Sequence, residues 1–311
     1  MIMKTKVFID GSAGTTGLRI RERLASRQDL ELITLPEELR KDPAARADAL
    51  NTAKVSFLCL PDDAAREAVS LVTSPDAVII DTSTAHRTAV GWTYGFPELK
   101  GQREKIVFSR RIANPGCHAS GFVSLVAPLV QAGLLSSGAR LSCFSLTGYS
   151  GGGKKMIAAY EEENRPSLLD APRQYGLSQT HKHLPEMAAV CGLDHAPVFC
   201  PVVAPYYAGM EVTVPLTPSE TSAAPEEIKE TYRAYYTSGL VRFAEAPEED
   251  GFLSAGALSG RDDLEISVHG TPERILLVAR FDNLGKGASG AAIQNMNLVL
   301  GEKESLGLVT Q

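Results

Sequence analysis

The sequence predicts an α/β protein in which a doubly wound parallel sheet is followed by a mixed α+β domain. Before Pro115, apolar runs of strand length alternate with amphipathic segments of helical period. After Pro115, longer β-patterned runs follow one another with only a few helices between them. The 311 residues fit about two domains at roughly 150 residues each.

The chain opens with a strand, a glycine-rich turn and a helix. KVFID is a short apolar run, GSAGTTG follows at once, and LRIRERLASR places Leu18, Ile20 and Leu24 among charged residues. The next buried-type run, VSFLCL, ends at Pro61, and Asp62 and Asp63 open its helix. The strands predicted here are 6–10, 30–35, 55–60 and 77–81, and the helices are 18–27 and 62–72.

The second part of the chain has a different pattern. An apolar helix fits 117–135, with a bend at Pro128. The predicted strands are 140–148, 210–216, 264–270 and 273–281. A polar surface loop fits 217–226, and one closing helix fits 287–300.

Composition and charge argue against several classes of protein. The net charge of −6 and pI near 5.6 argue against a partner that is a nucleic acid or an anionic membrane. No apolar run reaches the roughly 18 residues of a membrane span, and the early strand leaves no room for a signal peptide. The five cysteines are odd in number and widely spaced, which predicts neither a disulfide framework nor a zinc site. We therefore expect a cytoplasmic protein without a metal.

The glycine turn has the form GxxGxxG between a predicted strand and a predicted helix. Glycines let the backbone approach a pyrophosphate, and the helix start supplies amide donors. This context predicts a Rossmann-type dinucleotide site, and a purely structural turn is the alternative. The cofactor-binding residues predicted here are Gly11, Ser12, Gly14, Thr15, Thr16 and Gly17.

The end of the second strand bears on which dinucleotide binds. NAD sites usually carry an acid about 20 residues beyond the glycines, at this strand's tip. Here the strand ends at Leu35 without one, and Arg40 and Lys41 follow Glu37 and Glu38. The two cations suit the 2′-phosphate of NADP(H), but a solvated run of charges would look the same.

The segment Asn114-Pro115-Gly116-Cys117 predicts a reactive cysteine. Pro-Gly interrupts the chain directly before an apolar helix, so Cys117 lies at a helix N-terminus, where the dipole and amides favour a thiolate. The same amides suit an oxyanion. The other cysteines, Cys59, Cys143, Cys191 and Cys200, are interpreted as small core residues.

The segment HKHLPE is a second polar cluster. In an extended chain, His181 and His183 would face the same cleft, and one of them would serve a nucleophilic cysteine as its base. A surface loop with solvated histidines is the alternative, and no third metal ligand lies nearby in the sequence. His183 is nearer the helix start at Pro185, so we predict it as the acid/base and His181 as an orienting residue.

Two further polar positions remain open. If helical, His118 would point about 100° away from Cys117, so adjacency alone does not make it the base. Lys154 follows the flexible run 150–153, which suits either a loop that closes on a phosphate or a solvated turn.

Taken together, the motifs resemble the N-acetyl-γ-glutamyl-phosphate reductase family, in its shorter type 2 form. Besides the glycine turn and HKHLPE, the segments that carry the resemblance are DTS (81–83), YGFPEL (94–99), NPGC (114–117), GYSG (148–151) and KGA (286–288). They span nearly the whole chain. His118 and Lys182 depart from the family's pattern, in which an aromatic residue and an arginine are common.

The resemblance implies a reductase of an acyl phosphate that uses NADP(H). It implies that Cys117 accepts the acyl group and that a histidine of the HxH segment is its acid/base partner. On this basis we assign His181, Asn114 and Lys154 to the substrate, and Ser83, Gly151 and Lys286 to the cofactor. It also implies an NADP-binding domain at 1–116, a catalytic and oligomerisation domain at 117–285, and a C-terminal helix at 286–311 that returns to the first. A homodimer or homotetramer is expected.

Two rival functions remain. The first is another acyl-phosphate or semialdehyde dehydrogenase, such as one acting on aspartyl phosphate, which a panel of substrates would distinguish. The second is an NADPH-binding redox sensor in which Cys117 is oxidised without turnover.

Overall fold

The structure is a computed structural model that describes residues 4–310. The chain divides into two compact units. The first comprises Met1–Pro97, Gly101–Pro115 and Ala288–Leu308, and the second comprises Glu98–Lys100, Gly116–Gly287 and Val309–Gln311. Each unit is built around its own sheet.

The regular elements of the described residues are numbered in chain order. The strands are β1 (Thr5–Asp10), β2 (Leu30–Ile33), β3 (Val55–Leu58), β4 (Val78–Asp81), β5 (Thr93–Tyr94), β6 (Arg111–Ala113), β7 (Ser142–Gly148), β8 (Arg173–Gln174), β9 (Val198–Ala204), β10 (Met210–Leu216), β11 (Val241–Phe243), β12 (Leu264–Thr271) and β13 (Arg274–Phe281). The helices are α1 (Thr15–Leu24), α2 (Pro43–Thr52), α3 (Asp62–Ser70), α4 (Gln102–Val107), α5 (Cys117–Gln131), α6 (Gly153–Glu161), α7 (Leu184–Cys191), α8 (Pro225–Tyr235) and α9 (Gly290–Leu300).

The first unit contains a parallel sheet with strand order β2-β1-β3-β4-β6-β5. All residues of β3 and β4 are buried, as expected for apolar strands covered on both faces. The order reverses between β1 and β3, and the glycine turn follows β1 at this point. In doubly wound sheets, ligands bind in the crevice at such a reversal.

Helices pack on both faces of this sheet. On one face, Ile20 of α1 and Met296 of α9 share a core with Val7 and Ile80. The other face contacts the apolar residues of α2 and α3. The helix from the end of the chain therefore completes the first unit's core.

The second unit contains a mixed sheet with strand order β11-β12-β13-β10-β7-β9-β8. Helix α5 packs across β10 and β13. A Cβ placed on Gly121 would lie 2.5 Å from Cγ2 of Val212, so glycine allows the helix backbone to approach the strand closely. The start of α5 is thereby fixed against a rigid sheet.

The predicted fold class is confirmed, and each predicted strand is present within a few residues. Three predicted helices differ at their ends. Helix α1 begins at Thr15 because the glycine turn is shorter than expected, and α5 ends at Gln131. The predicted closing helix begins as a π-helical turn, Gly285–Ser289, before α9. None of the helices within residues 4–310 is long and apolar enough to cross a membrane.

Candidate active site

Cys117 is the first residue of α5, as the sequence predicts. Gly116 is the N-cap in extended conformation, and the first intrahelical bond runs from Ser120 N to Gly116 O. The amide groups of the first turn therefore have no partner within the helix and point along its axis. They and the helix dipole favour negative charge at this end of α5.

Two contacts fix the backbone around Cys117. The buried carboxylate of Glu186 accepts a hydrogen bond from Gly116 N at 2.8 Å. On the other side, a Cβ placed on Gly287 would lie 2.9 Å from Cβ of Cys117, so only glycine fits there without displacing the nucleophile. Neither Glu186 nor Gly287 was predicted to have a role, although they belong to the sequence motifs HKHLPE and KGA.

His181 and His183 lie side by side, with ring centroids 4.8 Å apart. The extended geometry expected for this segment is wrong. His183 is helical in conformation and is the N-cap of α7, and Leu184 N donates to His181 O at 3.0 Å. Pro185 is in the first turn of α7, so the segment closes as a turn onto the helix, and this turn brings the rings together.

The His181 ring also has a local hydrogen bond. Its Nδ1 accepts from the backbone N of His183 at 3.3 Å. A neutral ring that accepts at Nδ1 carries its hydrogen on Nε2. The His181 ring therefore has a hydrogen to donate at Nε2. The His183 ring is buried beside it.

His118 lies at the centre of this group. Its ring centroid lies 5.7 Å from that of His181 and 5.4 Å from that of His183. Its Nδ1 lies 2.7 Å from Oγ of Ser145, and its Nε2 lies 2.6 Å from the hydroxyl of Tyr175. Burial lowers the pKa of His118 to about 3, so the ring is neutral. Ser145 and Tyr175 were not predicted from the sequence, because no motif marks them.

The other four cysteines differ from Cys117 in their surroundings. Burial raises the pKa of Cys59 to about 12, and it raises the pKa of Cys143 and Cys191 strongly as well. These thiols stay protonated and are poor nucleophiles. Cys200 lies within β9 and is partly buried.

The glycine turn of the first unit is shaped by close contacts. Gly11 has a φ of +83°, and a Cβ there would lie 2.3 Å from Cys59 O. A Cβ on Gly17 would lie 2.5 Å from Gly11 O. Gly14 is the N-cap of α1, and Thr15 and Thr16 form its first turn. The turn thus leaves a bare backbone in front of a helix N-terminus, which suits a pyrophosphate.

A cavity of about 340 Å³ adjoins this turn. The turn contributes Gly11 and Ser12 to its wall, and β2 contributes apolar residues. Its charged lining includes Arg21, Arg40 and Lys41, together with the carboxylates Asp10 and Glu37. Asp10 is already paired with Arg46, at 3.0 Å. The residues present therefore fit an adenosine with a 2′-phosphate, for which the lining offers three cations.

The remaining residues predicted for the cofactor have different surroundings. Ser83 follows β4 and donates to the buried Asp81 at 2.7 Å. Gly151 lies in the short 3₁₀ helix Tyr149–Gly152 of the second unit. The Lys286 side chain is fully buried, with Nζ 2.8 Å from both carboxylate oxygens of Glu98. If Lys286 contacts the cofactor, it therefore does so through its backbone.

The residues predicted to bind the substrate also differ in their exposure and hydrogen bonds. Lys154 is exposed in the first turn of α6, and its ammonium is accessible to an anion. Asn114 is buried. Its Nδ2 donates to Ala288 O at 3.0 Å, and its Oδ1 accepts from Asn295 at 3.3 Å. These bonds favour a role for Asn114 in holding β6 to α9 over a contact with substrate.

Comparison with known proteins identifies the family. The model of the semialdehyde dehydrogenase dimerisation domain matches residues 117–283, and that of the semialdehyde dehydrogenase NAD binding domain matches residues 36–107. A relative from Brucella ovis, named N-acetyl-gamma-glutamyl-phosphate reductase, is 47% identical over 96% of this chain and 100% of its own length. The chain belongs to the N-acetyl-gamma-glutamyl-phosphate reductase family. The relative of the same name from Brucella melitensis is equally similar and has the same coverage.

The fold of this reductase recurs in distant structures. Aspartate semialdehyde dehydrogenase II from Vibrio cholerae superimposes with a TM-score of 0.73 at 15% identity, over 96% of this chain and 99% of that one. The aspartate semialdehyde dehydrogenase from Candida albicans, solved with NADP, gives 0.68 at 15% identity, over 96% and 99%. These similarities support the fold assignment only.

Proposed function

We propose that this reductase converts N-acetyl-glutamyl 5-phosphate to N-acetylglutamate 5-semialdehyde and phosphate, with NADPH as reductant, in arginine biosynthesis. The observation that carries the proposal is Cys117 at the start of α5, in a chain with 47% identity to reductases of that name. The turn of His181 and His183 belongs to the same compact unit as Cys117 and supplies the acid/base group.

The chemistry of Cys117 follows from its position. The thiolate attacks the acyl carbon and a C–S bond forms, the bond between the acyl carbon and the bridging oxygen breaks, and that oxygen leaves with the inorganic phosphate. When bound, NADPH supplies a hydride to the acyl carbon. The C–S bond then breaks to release the aldehyde and regenerate the thiolate, which is both a good nucleophile and a good leaving group. The amides of the first turn of α5 stabilise the oxyanion at each addition.

Histidine and cationic side chains complete the site. We assign proton transfer to His183, which takes the thiol proton as Cys117 attacks and gives it to an oxygen of the departing phosphate. His181 and Lys154 contact the substrate, whose phosphate and carboxylate are both anionic. Ser83, Gly151 and the backbone of Lys286 remain proposed cofactor contacts in addition to those of the glycine turn.

A reverse-direction assay tests the function. N-acetylglutamate semialdehyde, phosphate and NADP⁺ are mixed with the protein, and the nicotinamide absorbance is followed. We expect reduction of NADP⁺ that depends on phosphate, and a much lower kcat/KM with aspartate semialdehyde. Preference for aspartate semialdehyde would instead support the first rival, and NADPH binding without turnover would support a redox sensor.

The cavity beside the glycine turn predicts a preference for NADPH over NADH. Replacing Arg40 and Lys41 together by alanine removes two of the three cations in that cavity. Each charge-assisted hydrogen bond contributes about 1.5–3 kcal/mol, so KM for NADPH should rise by at least roughly tenfold while KM for NADH changes little. The measurement is kcat/KM for both cofactors, with Arg66→Ala, an exposed cation on α3 outside the cavity, as control. Equal kcat/KM for the two cofactors in the unmodified protein would contradict the prediction.

We further propose that two copies of the chain pair through the open face of the second sheet. Phe144, Val198 and Leu276 are 48%, 58% and 43% exposed. The strand register places them on the sheet face that does not carry α5, since Phe144 and Thr213 pair, as do Pro215 and Leu276. The matched family model describes this region as a dimerisation domain.

Sedimentation of a variant tests this interface. Phe144→Glu places a charge on the open face and should shift the protein from dimer to monomer at micromolar concentration. Phe108→Glu, an exposed aromatic in the first unit, should leave the assembly unchanged. A dimer that survives Phe144→Glu would place the interface elsewhere, and a tetramer in the unmodified protein would require a second interface.

The buried, protonated cysteines and the NADPH requirement favour the cytoplasm as the site of the reaction.

A further inference from the structure

The hydrogen bonds of His118 determine how Tyr175 presents its hydroxyl group. The neutral imidazole lies between Ser145 at Nδ1 and Tyr175 at Nε2. In a neutral ring, one nitrogen donates and the other accepts. Which nitrogen carries the hydrogen therefore decides whether Tyr175 accepts from His118 or donates to it.

Ser145 selects the tautomer. Its side chain is fully buried, and within residues 4–310 its Oγ has no hydrogen-bond partner other than His118. If Nδ1 carried the hydrogen, the serine O–H would have no acceptor, at a cost of about 1–3 kcal/mol. Ser145 therefore donates to Nδ1, Nε2 carries the hydrogen, and Nε2 donates to the oxygen of Tyr175.

This tautomer directs the tyrosine hydrogen away from His118. The Tyr175 hydroxyl lies 2.6 Å from Nε2 of His118, the residue that follows Cys117 in α5, and the Tyr175 ring centroid lies 5.9 Å from that of His181. Burial raises the pKa of Tyr175, and negative charge at Cys117 raises it further, so the phenol keeps its hydrogen throughout the physiological pH range. A neutral donor is thus available beside the nucleophile.

We propose that Tyr175 donates a hydrogen bond to the oxygen of the acyl group attached to Cys117, and that His118 and Ser145 are positioning residues that turn the phenol hydrogen toward it. The hydroxyl supplements the amides of α5 as an oxyanion donor. The proposal rests on the proposed function only in taking Cys117 as the group that is acylated.

Acylation by p-nitrophenyl acetate tests the donor without cofactor or acyl phosphate. This ester forms an oxyanion at its carbonyl when Cys117 attacks, and the release of p-nitrophenolate reports the rate. Tyr175→Phe should slow acylation by about 10²-fold, the loss typical of one oxyanion donor. Alkylation of Cys117 by iodoacetamide, which forms no oxyanion, should keep its rate and pH profile. A shifted alkylation profile would mean that Tyr175 acts on the thiolate, and this would overturn the proposal.

A double-mutant cycle tests the role of His118. His118→Leu should slow acylation, and adding it to Tyr175→Phe should cause little further loss, because His118 acts through the phenol. His118→Gln, whose amide N–H replaces Nε2–H as donor, should recover most of the rate lost in His118→Leu. Independent, multiplying losses from the two substitutions would overturn the positioning role.

A matched tyrosine separates this role from simple loss of stability. Tyr232 is fully buried in the same unit, and its hydroxyl donates to Leu125 O at 2.6 Å. Tyr232→Phe should lower the melting temperature without slowing acylation. If it slowed acylation as much as Tyr175→Phe, the effect of Tyr175 would be a general effect of stability and the proposal would fail.

If the unmodified protein reacts with the ester but does not reduce N-acetyl-glutamyl phosphate, the proposed substrate is wrong and the assignment of Tyr175 stands.

Discussion

Cys117→Ala is expected to abolish turnover while NADPH still binds. The variant lacks the atom that forms the bond to the acyl group, so hydride transfer has no thioester as acceptor. Loss of a catalytic nucleophile lowers kcat by roughly 10⁴-fold or more. The glycine turn and its cavity lie in the other compact unit and do not include Cys117. A fluorescence titration should therefore give a nearly unchanged Kd for NADPH.

Cys200→Ala is the matched control, because Cys200 is another partly buried thiol of the same unit. Its kcat should stay close to that of the unmodified protein. Turnover in Cys117→Ala at a similar rate would exclude a covalent mechanism at this position. Loss of NADPH binding in that variant would show instead that the substitution disturbs the fold.

Local patterns in the sequence were sufficient to predict four of the six strands of the first sheet and the start of a helix at Cys117, whereas β5 and β6 were not predicted. Apolar runs of strand length were correct within a few residues, as in β3 and β10, because both are nearly uniform or regularly alternating. The position of Cys117 at a helix start could be predicted because Pro115 and Gly116 mark that start in the sequence itself. Helix α2 was missed, since its alanines and polar residues show little amphipathic pattern.

Contacts between distant segments could not be predicted in this way. Ser145 meets His118 only because β7 passes beneath α5, and Tyr175 reaches the same ring from a loop 57 residues away in the chain. Lys286 is a second example. The family resemblance assigns it to the cofactor, whereas its buried side chain pairs with Glu98, 188 residues away in the sequence. Side-chain partners of this kind follow from the tertiary fold.

His183→Ala is expected to lower kcat by roughly 10²–10⁴-fold, and His181→Ala is expected mainly to raise KM for the acyl phosphate. The two rings are adjacent, but their hydrogen bonds differ. Nδ1 of His181 accepts from the amide of His183, so a proton cannot be taken up there without breaking that bond. His183 is buried at the start of α7, and this fixed position suits a group that transfers a proton at one place. His195→Ala, an exposed histidine beyond α7, is the control and should leave both constants unchanged.

The pH dependence of kcat/KM distinguishes the two assignments further. Removing the base should abolish the rise of the rate on the acidic side of the profile, whereas removing an orienting residue should keep its shape and lower its height. If His181→Ala shows the large kcat loss and the altered profile, the roles of the two histidines are exchanged. In that case His181 must give up its bond to the His183 amide whenever it is protonated, and the turn that leads into α7 would move during each catalytic cycle. The mechanism at Cys117 would be unchanged by this exchange, because either ring can serve the same thiol.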